Sequence, residues 1–152
     1  MRLSLNKAQI CEYQQNRDPY LMIDFATEIV PGQIANGYKI LKEDEWFFKV
    51  HWPNDPNMPG MLQLEALTQM SALAILTLPD NKGKIVYLSS ANNIKFYKKV
   101  IPGKKFLIKT KIKSFKRGIA ICEGTGVIDD TVLACKAEFN LVLPEELTKI
   151  NK

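Results

Sequence analysis

The only histidine of the chain, His51, lies in Val50-His51-Trp52-Pro53-Asn54-Asp55-Pro56-Asn57-Met58-Pro59-Gly60, and Glu65 follows fourteen residues after it in an apolar stretch. Imidazole titrates near neutrality, so a positioned histidine can take a proton from carbon at physiological pH. Glu65 has no other charged residue between Met58 and Leu78. Desolvation there is expected to raise its pKa and favour the protonated form, a proton donor. Pro53, Pro56 and Pro59 stiffen the histidine loop, and Pro59 is placed to open a helix whose first amides, at Gly60 and Met61, have no partner within it. Such amides, backed by the helix dipole, favour negative charge developing on a bound oxygen. A base, an acid and a donor pair thus fall within one short stretch.

A lone histidine beside prolines is more often a hydrogen-bonded structural residue, and a helical glutamate is more often solvated. The apolar sequence on all sides of Glu65 argues against full solvation. Gln69, one turn after Glu65, is placed to orient the carboxyl or to cap a neighbouring backbone group. With one histidine, and with Cys11, Cys122 and Cys135 showing no ligand spacing, neither a metal nor a cofactor is expected. The three cysteines read as buried thiols.

Around this stretch the chain must supply a scaffold. Its 152 residues suffice for one domain that buries roughly 70% of the surface exposed on unfolding. Nothing suggests a second domain, and disorder is expected only at the ends. Leu3 to Gln14 reads as a short helix ended by Arg17-Asp18-Pro19-Tyr20. Leu21 to Val30 and Ala35 to Leu41 read as a hairpin about Pro31-Gly32, and Trp46-Phe47-Phe48 leads on to the histidine loop. The one long helix runs from Pro59 to about Leu76, with apolar residues almost around its circumference, so it must be covered on most sides.

Strands follow from Ile85 to about Phe96, Lys105 to Phe115, Ile119 to Ile128 and Val132 to Leu143, with turns short enough for antiparallel neighbours. In the second of these, Phe106, Ile108, Thr110 and Ile112 alternate with Lys109, Lys111 and Lys113, which gives the sheet one wet face. The expected fold class is α+β, an antiparallel sheet of about five or six strands wrapped around one long central helix.

The net charge of +5 is unevenly placed: Lys95 to Arg117 holds ten basic residues and no acid, leaving eleven basic against sixteen acidic residues elsewhere. Such a segment is either a solvated strand face or an attractor of an acidic partner. No signal peptide or continuous apolar span is evident, so a cytoplasmic protein without membrane association is expected.

His51-Trp52-Pro53-x-x-Pro56-x-Met58-Pro59-Gly60, followed by Leu64-Glu65-Ala66-Leu67-x-Gln69, resembles the histidine loop and central helix of the (3R)-hydroxyacyl-acyl-carrier-protein dehydratases of fatty-acid synthesis, which have the hot-dog fold. Arg17-x-Pro19-Tyr20-Leu21-Met22-Ile23-Asp24, Lys95-Phe96 and Val100-Ile101-Pro102-Gly103 extend the resemblance from about Arg17 to Leu143. Val50, Trp52, Asn54 and Lys104 depart from the usual pattern.

The resemblance implies dehydration of carrier-bound (3R)-3-hydroxyacyl chains to trans-2-enoyl thioesters, with His51 and Glu65 catalytic and Gly60 and Met61 holding the thioester oxygen. It implies a homodimer whose sites take the histidine from one subunit and the glutamate from the other, with further assembly into a trimer of dimers left open. Tyr20, Phe96 and Tyr97 would line or gate an acyl tunnel, core packing being the alternative for each. Lys98, Lys99, Lys104, Lys109, Lys111, Lys113, Lys116 and Arg117 would dock the acidic acyl carrier protein. Glutamate at position 65 is more similar to dehydratases that only remove water than to those that also isomerise. The competing readings are a thioesterase on the same fold and a non-catalytic module binding acyl thioesters or nucleic acid through the basic segment and its aromatics. No nucleic-acid motif supports the last.

Overall fold

In a computed structural model, which describes the backbone of residues 1–150 and the side chains of residues 1–147, seven antiparallel strands form one sheet around a central helix. The elements are β1 (Leu3–Leu5), α1 (Lys7–Tyr13), β2 (Phe25–Val30), β3 (Ile34–Ile40), α2 (Trp46–Val50), α3 (Gly60–Leu76), β4 (Tyr87–Phe96), β5 (Lys105–Lys116), β6 (Ile119–Ile128), β7 (Val132–Val142) and α4 (Pro144–Ile150). Strand order is β1-β2-β3-β5-β6-β7-β4. This is the wrapped-helix, hot-dog architecture expected from the sequence, with one strand more than the five or six anticipated.

The extra strand comes from a segment that reads as helix. Leu3–Leu5 pairs with β2, and α1 begins only after Asn6, which caps it in a reciprocal box with Gln9. That box satisfies two of the free amides at the helix start and sets the boundary more sharply than the weak apolar period around it. The N-terminal end is therefore ordered in the sheet. The other expected disordered end, beyond residue 147, lies outside the described side chains.

Two further segments differ from expectation. Leu21, Met22 and Ile23 are fully buried but not strand, because Asp24 turns the chain: its N–H donates to the Tyr38 carbonyl and its Oδ2 accepts from the Ile40 N–H. Trp46 to Val50 is a short helix anchored by buried Phe47 and Phe48.

In α3 every residue from Ala66 to Leu76 is buried, so the helix has no wet face. Leu67, Met70 and Leu73 are essentially inaccessible, and burying each such side chain contributes on the order of 2 kcal/mol. The helix approaches β3 so closely that a Cβ at Gly37 would lie 2.6 Å from Met70 Cε and 2.0 Å from the Phe25 carbonyl oxygen. On the other face of the sheet Lys109, Lys111 and Lys113 point to solvent while Phe106, Ile108, Thr110 and Ile112 are buried, matching the alternation in the sequence.

The β5–β6 and β6–β7 turns place Arg117 and Gly118, and Asp129 and Asp130, at positive φ. Turns of this mirror type match the twist of the strands they join. β4 is different. It pairs with β7 along one side only, and nearly all of its ten residues are exposed. Among the described residues no helix is long and apolar enough to cross a membrane.

Candidate active site

His51 caps the C-terminal end of α2, where its N–H donates to the Phe47 carbonyl at 3.0 Å. The buried Phe47 and Phe48 hold that short helix to the core and thereby fix the histidine backbone. Beyond it the proline loop is closed by a Met58 N–H to Val100 O bond of 2.7 Å, a Gln63 Nε2 to Met58 O bond of 3.0 Å and an ion pair between Lys99 and Asp55 at 2.5 Å.

The decisive contact is made by a backbone carbonyl. His51 Nδ1 lies 3.1 Å from the Asn57 oxygen. A carbonyl oxygen can only accept, so in the neutral imidazole Nδ1 carries the hydrogen and Nε2 presents its lone pair outward. That is the tautomer a proton acceptor needs.

Pro59 caps α3, and Gly60 is its first helical residue, one position later than the sequence suggests. The Pro59 carbonyl accepts from both Leu62 and Gln63. The amides of Gly60 and Met61 come before these first donors and have no partner within the helix. Phe96 lies over this point: a Cβ added to Gly60 would meet its ring at 2.7 Å. Asn57, Met58, Gly60, Met61, Gln63, Phe96, Tyr97, Lys98 and Lys99 line an open groove here.

Glu65 faces a different space. It is partly buried in a cavity of about 380 Å³ between the end of α1, the side of α3 and the segment leading into β4. Gln69 holds it there: Gln69 Oε1 accepts from the Met22 N–H at 2.7 Å, and Nε2 donates to the Tyr20 carbonyl at 3.0 Å and to Glu65 Oε1 at 2.9 Å. Glu65 Oε1 is thus tied to the amide. Of the two roles open to Gln69 in the sequence, orienting the carboxyl and capping backbone groups, it performs both. The Tyr20 hydroxyl is nearby, its pKa pushed up by burial and by the Glu65 charge.

Within one chain, then, His51 and Glu65 do not share a cavity, since His51 does not line the one that holds Glu65. Tyr20 and Gln69 sit with Glu65, whereas Phe96 and Tyr97 sit with the Gly60 groove. The core-packing alternative for the three aromatics fails: Tyr20, Phe96 and Tyr97 are 47%, 47% and 48% exposed.

The basic segment does not form one patch. Lys98 and Lys99 flank the Gly60 groove. Lys104 pairs with Asp129 at one end of β5, and Lys116 and Arg117 lie at the other. Twelve residues of strand span roughly 40 Å. Lys109, Lys111 and Lys113 are on the outer sheet face between them, with Lys113 near Glu123. Sequence reasoning also missed the Asn57 carbonyl and Gln14, which lines the Glu65 cavity. A backbone acceptor has no sequence signature, and Gln14 lies far from Glu65 along the chain.

Cys122 and Cys135 are buried thiols, pushed up to about 11 by desolvation, while Cys11 is only partly buried. Among the described residues no cluster of histidine, cysteine or carboxylate side chains is placed to hold a metal ion.

A single sheet wrapped about a buried helix, with a histidine loop leading into that helix and a carboxyl on its first turns, defines a class, and comparison with known proteins gives it a name. The FabA-like domain profile matches residues 15–137. The 3-hydroxyacyl-[acyl-carrier-protein] dehydratase FabZ of Clostridium novyi is 36% identical over 138 residues, covering 90% of this chain and 97% of the relative. That of Roseiflexus castenholzii is 37% identical over 142 residues, covering 93% and 99%. The chain therefore belongs to the FabA-like family, on the side of its FabZ-type 3-hydroxyacyl-[acyl-carrier-protein] dehydratases.

Solved structures share the fold. The dehydratase heterocomplex ApeI:P from Xenorhabdus doucetiae superposes with a TM-score of 0.75 at 13% identity, covering 94% of this chain and 97% of that one. A hypothetical thioesterase from Streptococcus pneumoniae with coenzyme A gives 0.59 at 14% identity, covering 75% and 80%. At such identities the likeness concerns the fold alone.

Proposed function

We propose that this chain dehydrates (3R)-3-hydroxyacyl thioesters on acyl carrier protein to trans-2-enoyl thioesters in fatty-acid or related acyl-chain biosynthesis. The observation that carries this is the His51 Nδ1 contact with the Asn57 carbonyl, which leaves Nε2 bare. In the reaction Nε2 takes the C2 proton, and the electron pair moves toward the thioester oxygen, where the Gly60 and Met61 amides stabilise the charge. The pair then forms the C2–C3 double bond as the C3–O bond breaks. Glu65 delivers its proton to the departing hydroxyl, which leaves as water, and the proton on His51 returns to the glutamate to close the cycle.

The two groups do not share a cavity in one chain, so we infer a homodimer in which one copy supplies His51 and the other Glu65. β4 supports this. An unpaired ten-residue edge bearing exposed Tyr87, Leu88 and Phe96 is a template for a second strand. A second copy is the occupant that would also bring a histidine loop toward the Glu65 cavity.

Lys98, beside the groove that leads to Gly60, is the residue best placed to meet an acidic carrier protein. On this reading the reaction runs in the cytoplasm, with neither membrane nor nucleic acid as a partner. The test is a mass-resolved assay on a carrier-bound 3-hydroxyacyl chain. Loss of water is expected, reduced about 100-fold to 10,000-fold in His51→Ala and in Glu65→Gln while both variants keep the wild-type circular dichroism. Release of free acid would point to a thioesterase, and full activity in either variant would remove that residue from the mechanism.

A further inference from the structure

Near its end β4 gains one residue on its neighbour. Asn92 opposes Glu138 and Lys95 opposes Lys136, so β4 advances three positions while β7 advances two. That is a β-bulge, and Asn93 lies in it at φ 51°. This left-handed conformation is ordinarily left to glycine, and asparagine is among the few other residues that adopt it readily. The Asn93 side chain also fastens the bulge to β7, its Nδ2 donating to Glu138 Oε2 at 2.7 Å.

The extra residue reverses every side chain that follows. Glu138 and Lys136 are two apart on β7 and share the outer face of the sheet, so Asn92 and Lys95 share it too although they are three apart. Phe96 opposes the buried Cys135 and therefore turns to the side of the sheet that covers α3. In an unbroken strand continuing from Asn92, Lys95 would face α3 and Phe96 would face solvent. Past the bulge the chain is held by the Tyr97 N–H, which donates to the Ala134 carbonyl at 2.7 Å. The outcome is the Phe96 ring over Gly60, so close that a Cβ at Gly60 would collide with it.

We propose that Asn93 is a positioning residue of the reaction: its bulge turns Phe96 onto Gly60, where the ring shields the first amides of α3 and keeps water from the thioester oxygen they hold. The inference rests on the dehydratase reading, which places that oxygen at Gly60 and Met61. Donors aimed at a developing negative charge act more strongly where water is excluded. Phe96 is half exposed and lines an open groove, so it forms a wall that leaves the amides within reach of substrate. The bulge thus acts on catalysis through one side chain.

The test compares Asn93→Val with Asn93→Gly. A β-branched residue is strained at this φ, whereas glycine loses the bond to Glu138 but adopts the conformation freely. With a 3-hydroxyacyl N-acetylcysteamine thioester, Asn93→Val is expected to lower kcat about tenfold and to change KM less than about twofold, while Asn93→Gly stays near wild type. In a Phe96→Ala background Asn93→Val should cost nothing further, because the side chain it positions is gone. Should Asn93→Val fail to fold, Asn93→Ala, with a smaller penalty at the same φ, takes its place. A loss in Asn93→Gly as large as in Asn93→Val overturns the proposal, and so do effects that add in the double variant. Placement is read without turnover by labelling the eight glycines with nitrogen-15. The ring-current shift of the Gly60 amide resonance should vanish in Phe96→Ala and in Asn93→Val and persist in Asn93→Gly. A Gly60 resonance unmoved by Asn93→Val overturns the proposal. If the wild-type protein dehydrates nothing, the reaction reading fails by itself, and that resonance still decides whether the bulge places the ring.

Discussion

The His51 loop and the Glu65 cavity, proposed to do complementary chemistry, are built in different ways. The direct contacts of His51 lie within a dozen residues of it, with Phe47 below, Asn57 across the loop and three prolines restricting the backbone between, and only the closure of the loop by Val100 and Lys99 comes from afar. The Glu65 cavity is assembled from residues 14–16, the side of α3, residues 84–88 and Leu141. A local device tolerates change elsewhere in the protein, whereas an assembled one depends on every element that meets there. The difference also explains why a carboxyl on a central helix needs Gln69 to bridge it to Tyr20 and Met22, while the histidine needs only a carbonyl from its own loop.

The sharpest way to break this comparison is to separate the two halves genetically. Mixing His51→Ala with Glu65→Gln and allowing subunits to exchange should restore activity to roughly a quarter of wild type, because half the dimers are mixed and each of those has one intact site of two. No recovery on mixing, with exchange demonstrated, would mean that each chain uses its own pair.

Gln69→Leu probes the assembled half. It removes three hydrogen bonds and strands the buried Met22 N–H, which costs about 1–3 kcal/mol, so the Tm should fall by several degrees. Turnover should fall more than KM rises, since the carboxyl loses its orientation. An unchanged Tm would show that the bridge is not needed to hold residues 20–22 against α3.

The smallest effect is expected at the rim of the Gly60 groove. Lys98→Glu should raise KM several-fold for the carrier-bound substrate, leave kcat alone, and leave a short thioester mimic unaffected, with the difference shrinking as salt increases. Equal effects on both substrates would place Lys98 in the groove's own chemistry.

Legibility follows the same division. The helix from Gly60 to Leu76 and the strands from β5 to β7 could be read almost to the residue, because a continuous apolar run and a strict alternation each admit one secondary structure. The His51 half of the site was readable for a related reason: its parts are neighbours along the chain. What misled was weak local signal under tertiary control. Leu3–Leu5 is a strand because β2 offers it an edge, and Leu21 to Ile23 is buried without being strand because Asp24 ties the chain to β3. The basic segment looked like one patch only when laid out as a line; folded, it runs the length of β5 and turns its charges in several directions.

By itself the sequence determined the residue types able to act as base, acid and oxyanion donor, the rigid loop that carries the first, and the helix that carries the second, since short-range sterics and apolar periodicity decide those. Only the tertiary structure decided the imidazole tautomer, the bridging role of Gln69, the unpaired amide of Gln14 and the absence of His51 from the cavity that holds Glu65. Each of these depends on groups remote in the chain or on a backbone carbonyl. Their positions follow from how the sheet closes over the helix, which no local pattern encodes.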